Sequence, residues 1–367
     1  MHLLFLTDRI GHRGGASNHL LQIIEGMHER HRVTVASGGM DAGITLPNNV
    51  QHIRMHGLRS GTPQKKGLAR LHDLLFEADV VHLQNVMNPI AIEMAKMRPC
   101  VATIQDHRVF CPGPGRTLPS NAQCRETMGE NACTPCLPNP EQRNRMLRLT
   151  RARNQSLRGI VLIVLSKYMA DELEQAGHVR PIVIPPTTPV GPPKNTAGHG
   201  FLMAGRLVHH KGIDLGHKAW QAAQTQHPLR VAGLGPAIDP MKDIDALGWL
   251  DAPSLRIALQ QARALVFPSR WQEPYGIIGV ESLAMGTPVV AMGLGGMQDW
   301  MGPGTIALGP GDVQGMAAAI KTLAQQPEHA LAMGRAGQRH LTRRMGLQAT
   351  LDRIEERYAQ AAKQMAH

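Results

Sequence analysis

The stretch EPYGIIGVESLAMGTPVVA, residues 273–291, sets two glutamates around a proline–glycine loop and follows them with an apolar run. Pro274 disfavours helix at Glu273. Gly276 permits an unusual backbone just before a helix begins. Glu281 then falls a turn or more along that helix, and PVVAMG (288–293) reads as a buried strand. A carboxylate accepts hydrogen bonds from two vicinal hydroxyls, so the pair suits a polyol such as ribose or a sugar. The backbone N–H groups near the helix start, at Gly276, Ile277 and Ile278, suit hydroxyl or phosphate oxygens. The same residues also read as a helix cap plus one solvated acid, because Glu is favoured near helix starts.

The strand–helix alternation extends outward in both directions. HLLFLT (2–7), HRVTVAS (31–37), DVVHLQN (79–85), CVATIQD (100–106) and GIVLIVLS (159–166) are near-continuous apolar runs separated by helical patterns. That is the signature of a parallel sheet covered on both faces. IVIPPTTPVGPPKNTAGHG (182–200) interrupts the pattern with prolines that sustain neither helix nor central strand, and reads as a linker. The alternation restarts with FLMAGR (201–206), LRVAGLGP (229–236), ALVFPS (264–269) and PVVAMG. The expected fold class is therefore α/β, with two doubly wound domains at 1–188 and 196–346 and an amphipathic C-terminal helix within 347–367 that packs back on the first. Ligands of such sheets sit at the carboxyl ends of the strands, so a cleft between the domains is the expected site. KDID (242–245) follows no apolar strand and reads as a surface turn.

Length and composition agree. At roughly 100–200 residues per domain, 367 residues make about two domains. Hydrophobic residues at 43% supply the cores, while aromatics at 3% are too few for base-stacking platforms. The net charge of +11 invites anionic partners. No nucleic-acid recognition motif accompanies it, so nucleic acid is not expected as a partner. No run is long enough to span a bilayer. The opening residues do not read as a signal peptide, so a cytoplasmic location with reduced or metal-bound cysteines is expected.

After the first strand, Gly14 and Gly15 precede a helix, which suits close approach of a ligand or an ordinary tight turn. After FLMAG come Gly205, Arg206 and Lys211 in GRLVHHKG. The two cations suit a diphosphate clamp, or a solvated surface.

Together these motifs resemble the retaining glycosyltransferases of family 4, which have the GT-B fold of two Rossmann-like domains facing a cleft. EPYGIIGVESLAMGTPVVA resembles the family's E-x7-E segment, and FLMAGRLVHHKGID its phosphate clamp. LRVAGLGP, LVFPSRWQEP and LIVLSKYMADEL match in order, so the resemblance covers nearly the whole chain. It implies a metal-independent hexosyltransferase of polysaccharide biosynthesis that needs no cofactor for catalysis. The donor would be a nucleotide-diphosphate sugar of the UDP or GDP type. The acceptor would be a glycan, a lipid-linked sugar or a small molecule, read by loops around 52–70 and 107–140. Glu281 would hold the ribose, Glu273 the donor sugar, and Arg206 and Lys211 the diphosphate, with Gly14 and Gly15 approaching it. Gln105 stands where the family often has His, and Gln84 where a second His is frequent. Gln cannot act as a general base, so Asp106, His107 or the donor phosphate would take the proton, while Gln105 would hydrogen-bond a sugar. An inert nucleotide-sugar-binding protein or an epimerase of the same fold are the alternatives.

Cys111, Cys124, Cys133 and Cys136, spaced C-x12-C-x8-C-x2-C, fit either a structural zinc knuckle or four reduced thiols in a loop. Cys100 opens a strand and reads as core. Residues 142–158 carry six arginines and no acid. They read as a basic surface helix or as a peripheral contact with anionic lipid at the inner face of a membrane. His209 and His210 lie beside the clamp, and most other histidines are expected at the surface.

Overall fold

The computed structural model describes residues 1–11, 14–58, 69–235, 241, 243–342 and 346–366. Residues 59–68, within the first acceptor-loop expectation, and Lys242 of KDID lie outside them. The chain divides into two units. One comprises 1–187 with the C-terminal helix Leu347–Met365, and the other spans 188–346.

The first unit is built on seven strands: β1 (His2–Thr7), β2 (Arg32–Ser37), β3 (Gln51–Arg54), β4 (Val80–Gln84), β5 (Cys100–Ile104), β6 (Val161–Val164) and β7 (Ile182–Val183). Their order is β3-β2-β1-β4-β5-β6-β7, and every pairing is parallel. The helices are α1 (Gly15–Met27), α2 (Ala69–Glu77), α3 (Pro89–Ala95), α4 (Glu130–Cys133), α5 (Pro140–Ser156) and α6 (Lys167–Gln175). All six residues of β1 are buried, as a strand covered on both faces requires. The start of the stretch read as linker is ordered differently: Ile182 and Val183 pair with β6 before the prolines begin. Two apolar side chains per edge are enough to extend a sheet, and the following Pro185 then stops it.

The C-terminal helix presents Leu351, Ile354, Tyr358 and Ala361 at helical spacing, all buried. They join the core that includes Leu3, Phe5, Ile23 and Ile24. Tyr358 Oη lies 2.8 Å from Nδ1 of the fully buried His82, whose Nε2 lies 2.7 Å from Thr103 Oγ1. At the helix's polar margin, Arg30 donates to Asp352 at 2.7 Å and to Glu355 at 2.8 Å.

The second unit holds β8 (Phe201–Ala204), β9 (Leu229–Ala232), β10 (Ile244–Gly248), β11 (Ala264–Phe267), β12 (Val289–Met292) and β13 (Thr305–Leu308), in the order β10-β9-β8-β11-β12-β13. Its helices are α7 (Ile213–Ala223), α8 (Ala252–Gln261), α9 (Ile277–Ala284), α10 (Val313–Gln325) and α11 (Pro327–Thr342). KDID is not a turn throughout: Ile244 and Asp245 pair with β9 as an edge strand. An edge strand needs no apolar alternation, so its pattern is faint in sequence.

Proline-rich residues on this side are pinned. Lys194 is buried and donates to Ala262 O at 2.7 Å and Thr287 Oγ1 at 3.0 Å. Burial beside Arg263 lowers its ammonium to about 8. Arg335 donates to the Lys194 carbonyl at 2.7 Å.

Leu351→Ala empties a fully buried position in the C-terminal helix. It should destabilise the first unit by about 2–5 kcal/mol, read as a lower urea midpoint at unchanged slope.

Candidate functional site

In a doubly wound sheet the carboxyl ends of the two strands at which the order reverses leave a crevice between them. In the second unit those strands are β8 and β11. After β8 the chain passes Gly205 and Arg206 and forms a 3-10 turn, His209–Lys211. It enters α7 through Gly212 at φ 67°. A Cβ there would stand 1.8 Å from Pro268 O, directly after β11, so only glycine lets the two strand-end loops touch.

That contact brings the clamp to the first glutamate. Lys211 Nζ lies 2.6 Å from Glu273 Oε1, which also accepts from Ser269 Oγ at 2.8 Å. Glu273 is 3% exposed, so the pair is largely withdrawn from solvent. Its Oε2 has no partner among the described residues. Lys211 Nζ also sits 4.8 Å from the centre of the Trp271 ring. Arg270, which sequence reasoning passed over, braces the loop by a two-bond pair with Asp214, at 2.6 and 2.7 Å, and by donating to His209 O at 3.0 Å. Its only sequence signal is position, one residue past the Ser that follows β11. Arg206 is exposed and His209 likewise. His210 is half-buried, and burial together with Lys211 and Arg206 lowers its imidazole to about 4.

Gly276, at φ 78°, turns the chain into α9. A Cβ there would lie 2.8 Å from Met297 Cγ. The first N–H groups of α9, at Ile277 and Ile278, have no acceptor within the helix. Glu281 lies one turn further on, half-buried. Burial pushes its carboxyl up to about 7 against the attraction of Arg256.

In the first unit the reversal lies between β1 and β4. Gly14, at φ 107°, caps α1, and Gly15 begins it. Gln105 is 8% exposed and engaged at both ends: its Nε2 donates to His19 Nδ1 at 2.6 Å, and its Oε1 accepts from Asn85 Nδ2 at 2.8 Å, leaving one N–H of the amide. Asp106 caps the turn His107–Val109 by accepting from Arg108 N at 2.9 Å and pairs with the Arg108 guanidinium. Burial opposes its ionisation, but Arg108 outweighs that and holds the carboxyl below its usual range. Asp8, directly after β1, was not singled out by sequence. Burial raises its carboxyl to about 6, although the Met87 N–H, at 3.2 Å, and Arg108 favour the charged form.

Several expectations are corrected here. His107 is 2% exposed with Nε2 2.9 Å from Tyr168 Oη, and burial lowers it to about 3. It is therefore a core residue whose burial favours the neutral imidazole. The histidines are not mainly superficial: His2, His19, His82, His107, His178 and His217 are all buried. Of the arginines expected on the basic face, Arg153 is buried and donates to Met87 O at 2.8 Å. Arg145, Arg148, Arg151 and Arg158 are exposed.

The four loop cysteines are free thiols in one neighbourhood. Arg116 N approaches Cys111 Sγ at 3.4 Å, and Cys136 Sγ lies 3.8 Å from Thr117 O. Burial and the neighbouring thiols hold the Cys136 thiol above its usual range. Among the described residues, no three His, Cys, Asp or Glu side chains are arranged to hold a metal ion. Cys100 is buried core, with its thiol pushed far up by burial. No helix among the described residues is long and apolar enough to cross a membrane.

Each unit is thus a parallel, doubly wound sheet with acidic and basic groups at its strand ends. The whole chain superposes on solved GT-B glycosyltransferases. HepE of Anabaena in complex with UDP and glucose aligns at a TM-score of 0.74 and 17% identity, over 98% of this chain and 100% of that one. Sucrose-phosphate synthase from Thermosynechococcus elongatus aligns at 0.69 and 18%, over 98% of each chain. Residues 198–326 match the family model for glycosyl transferases group 1. Over 157 residues the chain is 32% identical to a glycogen synthase of Mycobacterium tuberculosis, covering 39% of this chain and 38% of that protein. It therefore spans well under half the length of that curated relative. The fold is GT-B, and the part of the chain that matches the group 1 glycosyltransferase model, residues 198–326, lies within the second unit.

Glu281 supplies a pH test. Its folded carboxyl titrates near 7 against an ordinary 4.5, so the folded state binds that proton more tightly than the unfolded state. The associated stability is fully present below about pH 4.5 and is lost as pH rises through 7, by on the order of 2 kcal/mol. Urea unfolding of wild type and Glu281→Gln at pH 5 and pH 8 should show the wild type losing more stability over that interval.

Proposed function

We propose that the protein is a retaining, metal-independent hexosyltransferase that moves a sugar from a nucleotide-diphosphate donor to a hydroxyl of an acceptor. The observation that carries this reading is Glu273. It is a buried carboxylate at the β8/β11 reversal, held through one oxygen by Lys211 and Ser269, with the other left over among the described residues. A carboxylate fixed this way presents one acceptor of defined direction to a sugar hydroxyl.

In this reading Glu281 accepts from the ribose hydroxyls, which bind its ionised form. Arg206, Lys211 and the backbone at Gly205, Gly276, Ile277 and Ile278 face the diphosphate, while Gly14 and Gly15 keep the start of α1 open to ligand. As the anomeric C–O bond breaks, its electron pair passes to the diphosphate. The two cations and the N-terminus of α9 stabilise the charge that develops there. The acceptor oxygen bonds to the same face of the anomeric carbon, and its proton passes to a phosphate oxygen. Asp106 and Gln105 lie at the strand ends of the first unit and orient sugar hydroxyls rather than exchange protons.

A UDP-type donor is favoured over GDP by the bound UDP of HepE. The acceptor is a glycan, a lipid-linked sugar or a small molecule. The exposed arginines Arg145, Arg148, Arg151 and Arg158 suit anionic lipid and support a peripheral location at the inner face of a membrane.

The test is nucleotide release from a panel of UDP-, GDP-, ADP- and TDP-sugars, with and without EDTA. Release from one donor should be insensitive to EDTA and fall at least 100-fold in Glu273→Gln. Binding without release by any donor–acceptor combination would instead indicate an inert nucleotide-sugar binder. Nucleotide affinity should weaken as pH drops below 7, and Glu281→Gln should abolish that dependence. Vesicle flotation checks the membrane contact: binding should require anionic lipid and be lost when Arg145, Arg148 and Arg151 are changed together to Gln.

A further inference from the structure

At the β1/β4 reversal polar side chains bond to one another. Gln105 Nε2 and Gln84 Nε2 lie 2.6 and 3.3 Å from Nδ1 of His19, and burial lowers that imidazole to about 4, which favours its neutral form. The β8/β11 reversal is different, because a cation there rests on an aromatic ring. Lys211 Nζ lies 4.8 Å from the centre of the Trp271 ring. Trp271 stands in the loop after β11, between Ser269 and Glu273, and is half-buried. Its backbone N–H donates to Ser269 Oγ at 3.2 Å, and the same hydroxyl donates to Glu273 Oε1 at 2.8 Å. Its ring also lies 5.3 Å from that of His210, the residue before Lys211. Trp271 thus packs on the loop after β8 while its own backbone is tied to the carboxylate that Lys211 binds.

The two contacts of the Lys211 ammonium differ in kind. Glu273 is a charge, and a diphosphate competes with it for the same N–H groups. The indole ring attracts a cation through the negative face of its π system and carries no net charge. An anion that draws Lys211 off Glu273 therefore need not draw it off the ring. An ammonium has three N–H donors, and Glu273 at 2.6 Å engages one of them. The Lys211 side chain is only 17% exposed, so its attraction for an anion is screened less than that of a solvated lysine. We propose that Trp271 is a positioning residue for the departing diphosphate: its ring keeps the Lys211 ammonium at the β8/β11 reversal while Glu273 and the diphosphate share it.

This role rests on the sugar-transfer reading and adds to it a residue that acts through Lys211 and that sequence reasoning did not single out. When the anomeric C–O bond breaks, its electron pair goes to the diphosphate, and a cation stabilises that charge best when it is already in place. Lysine is a point charge on a flexible stem. One hydrogen bond to Glu273 fixes the distance of the ammonium but leaves it free to swing about the carboxylate, and the ring removes that freedom. Leucine at 271 would fill space and restore the swing. Phenylalanine would keep a π face of weaker attraction. A fall in the order Trp, Phe, Leu therefore marks a cation held by a ring, whereas simple packing makes Phe and Leu alike.

The experiment measures steady-state nucleotide release by the full chain from UDP-, GDP-, ADP- and TDP-sugars, with and without added acceptor sugars. The donor that wild type turns over is then used for the variants. Trp271→Leu should lower kcat about ten-fold, the loss of one partly desolvated cation–π contact. KM should move by less than about two-fold, as for an interaction strongest in the transition state. Trp271→Phe should recover most of the loss. Lys211→Gln keeps an amide donor for Glu273 but no charge, and in that background Trp271→Leu should change nothing further. NMR of the lysine side chains gives a signature that needs no activity. The Lys211 ε-methylene protons, assigned by their loss in Lys211→Gln, should be shifted upfield by the ring current in wild type and Trp271→Phe but not in Trp271→Leu. Four results would each overturn the role of Trp271 and leave the transfer reading standing: no upfield shift in wild type, wild-type kcat in Trp271→Leu, equal losses in Trp271→Phe and Trp271→Leu, or an undiminished Trp271→Leu effect in the Lys211→Gln background. Release from no donor of the panel would overturn the transfer reading itself and this role with it.

Discussion

A parallel sheet cannot be closed by hairpins. Each strand must be reached again through a crossover, usually a helix, so every strand-to-helix loop emerges at the same edge. Both units obey this constraint without exception among their described pairings. Where the winding reverses, two neighbouring loops lead away in opposite directions and leave a gap. In one unit that gap receives Lys211 and Glu273, and in the other His19, Gln84 and Gln105. No single motif creates these sites. The direction of the strands does, and the glycines at 212 and 276 only allow the loops to come close enough.

The two gaps differ in electrostatic character. The one in the second unit is ionic, and its carboxylate and ammonium neutralise each other before any ligand arrives. An anionic ligand therefore meets Lys211 already engaged and must share it with Glu273. The exposed Arg206 is the cation least committed to the protein itself. The gap in the first unit is built from neutral amides and a neutral imidazole, bordered by Asp8, Asp106 and Arg108. The overall positive charge of the chain thus says little about either site. Much of it lies on outward-facing arginines such as those of α5.

The fold was legible because buried parallel strands are written as uninterrupted apolar runs, of which HLLFLT and ALVF are examples. The edge strands were not. QHIR and IDALG carry polar residues because one side of each faces no further strand, and their pairing is a property of the neighbour. The ionic site was legible for a similar reason: GRLVHHKG and the two glutamates keep fixed spacings within single loops. The amide–imidazole cluster joins residues 19, 84, 85 and 105 through three separate crossovers, so no local pattern announces it. The buried state of His82 and His107 was likewise invisible. A histidine in an apolar strand and one in a loop look alike until the tertiary structure supplies Tyr358 and Tyr168 as partners. The loop cysteines show a suggestive spacing, and the structure brings their thiols near one another.

The return of Leu347–Met365 to the first unit has a consequence for how the chain reaches this structure. The segment that seals Leu3, Phe5 and Ile23 from water and supplies the partner of His82 is made only after the whole second unit. During synthesis the first unit must wait with that apolar face uncovered while the second, continuous in sequence, is free to complete itself. The first half is thus completed by a segment that is synthesised only after the second half, and until then its uncovered apolar face belongs to the half that emerged first.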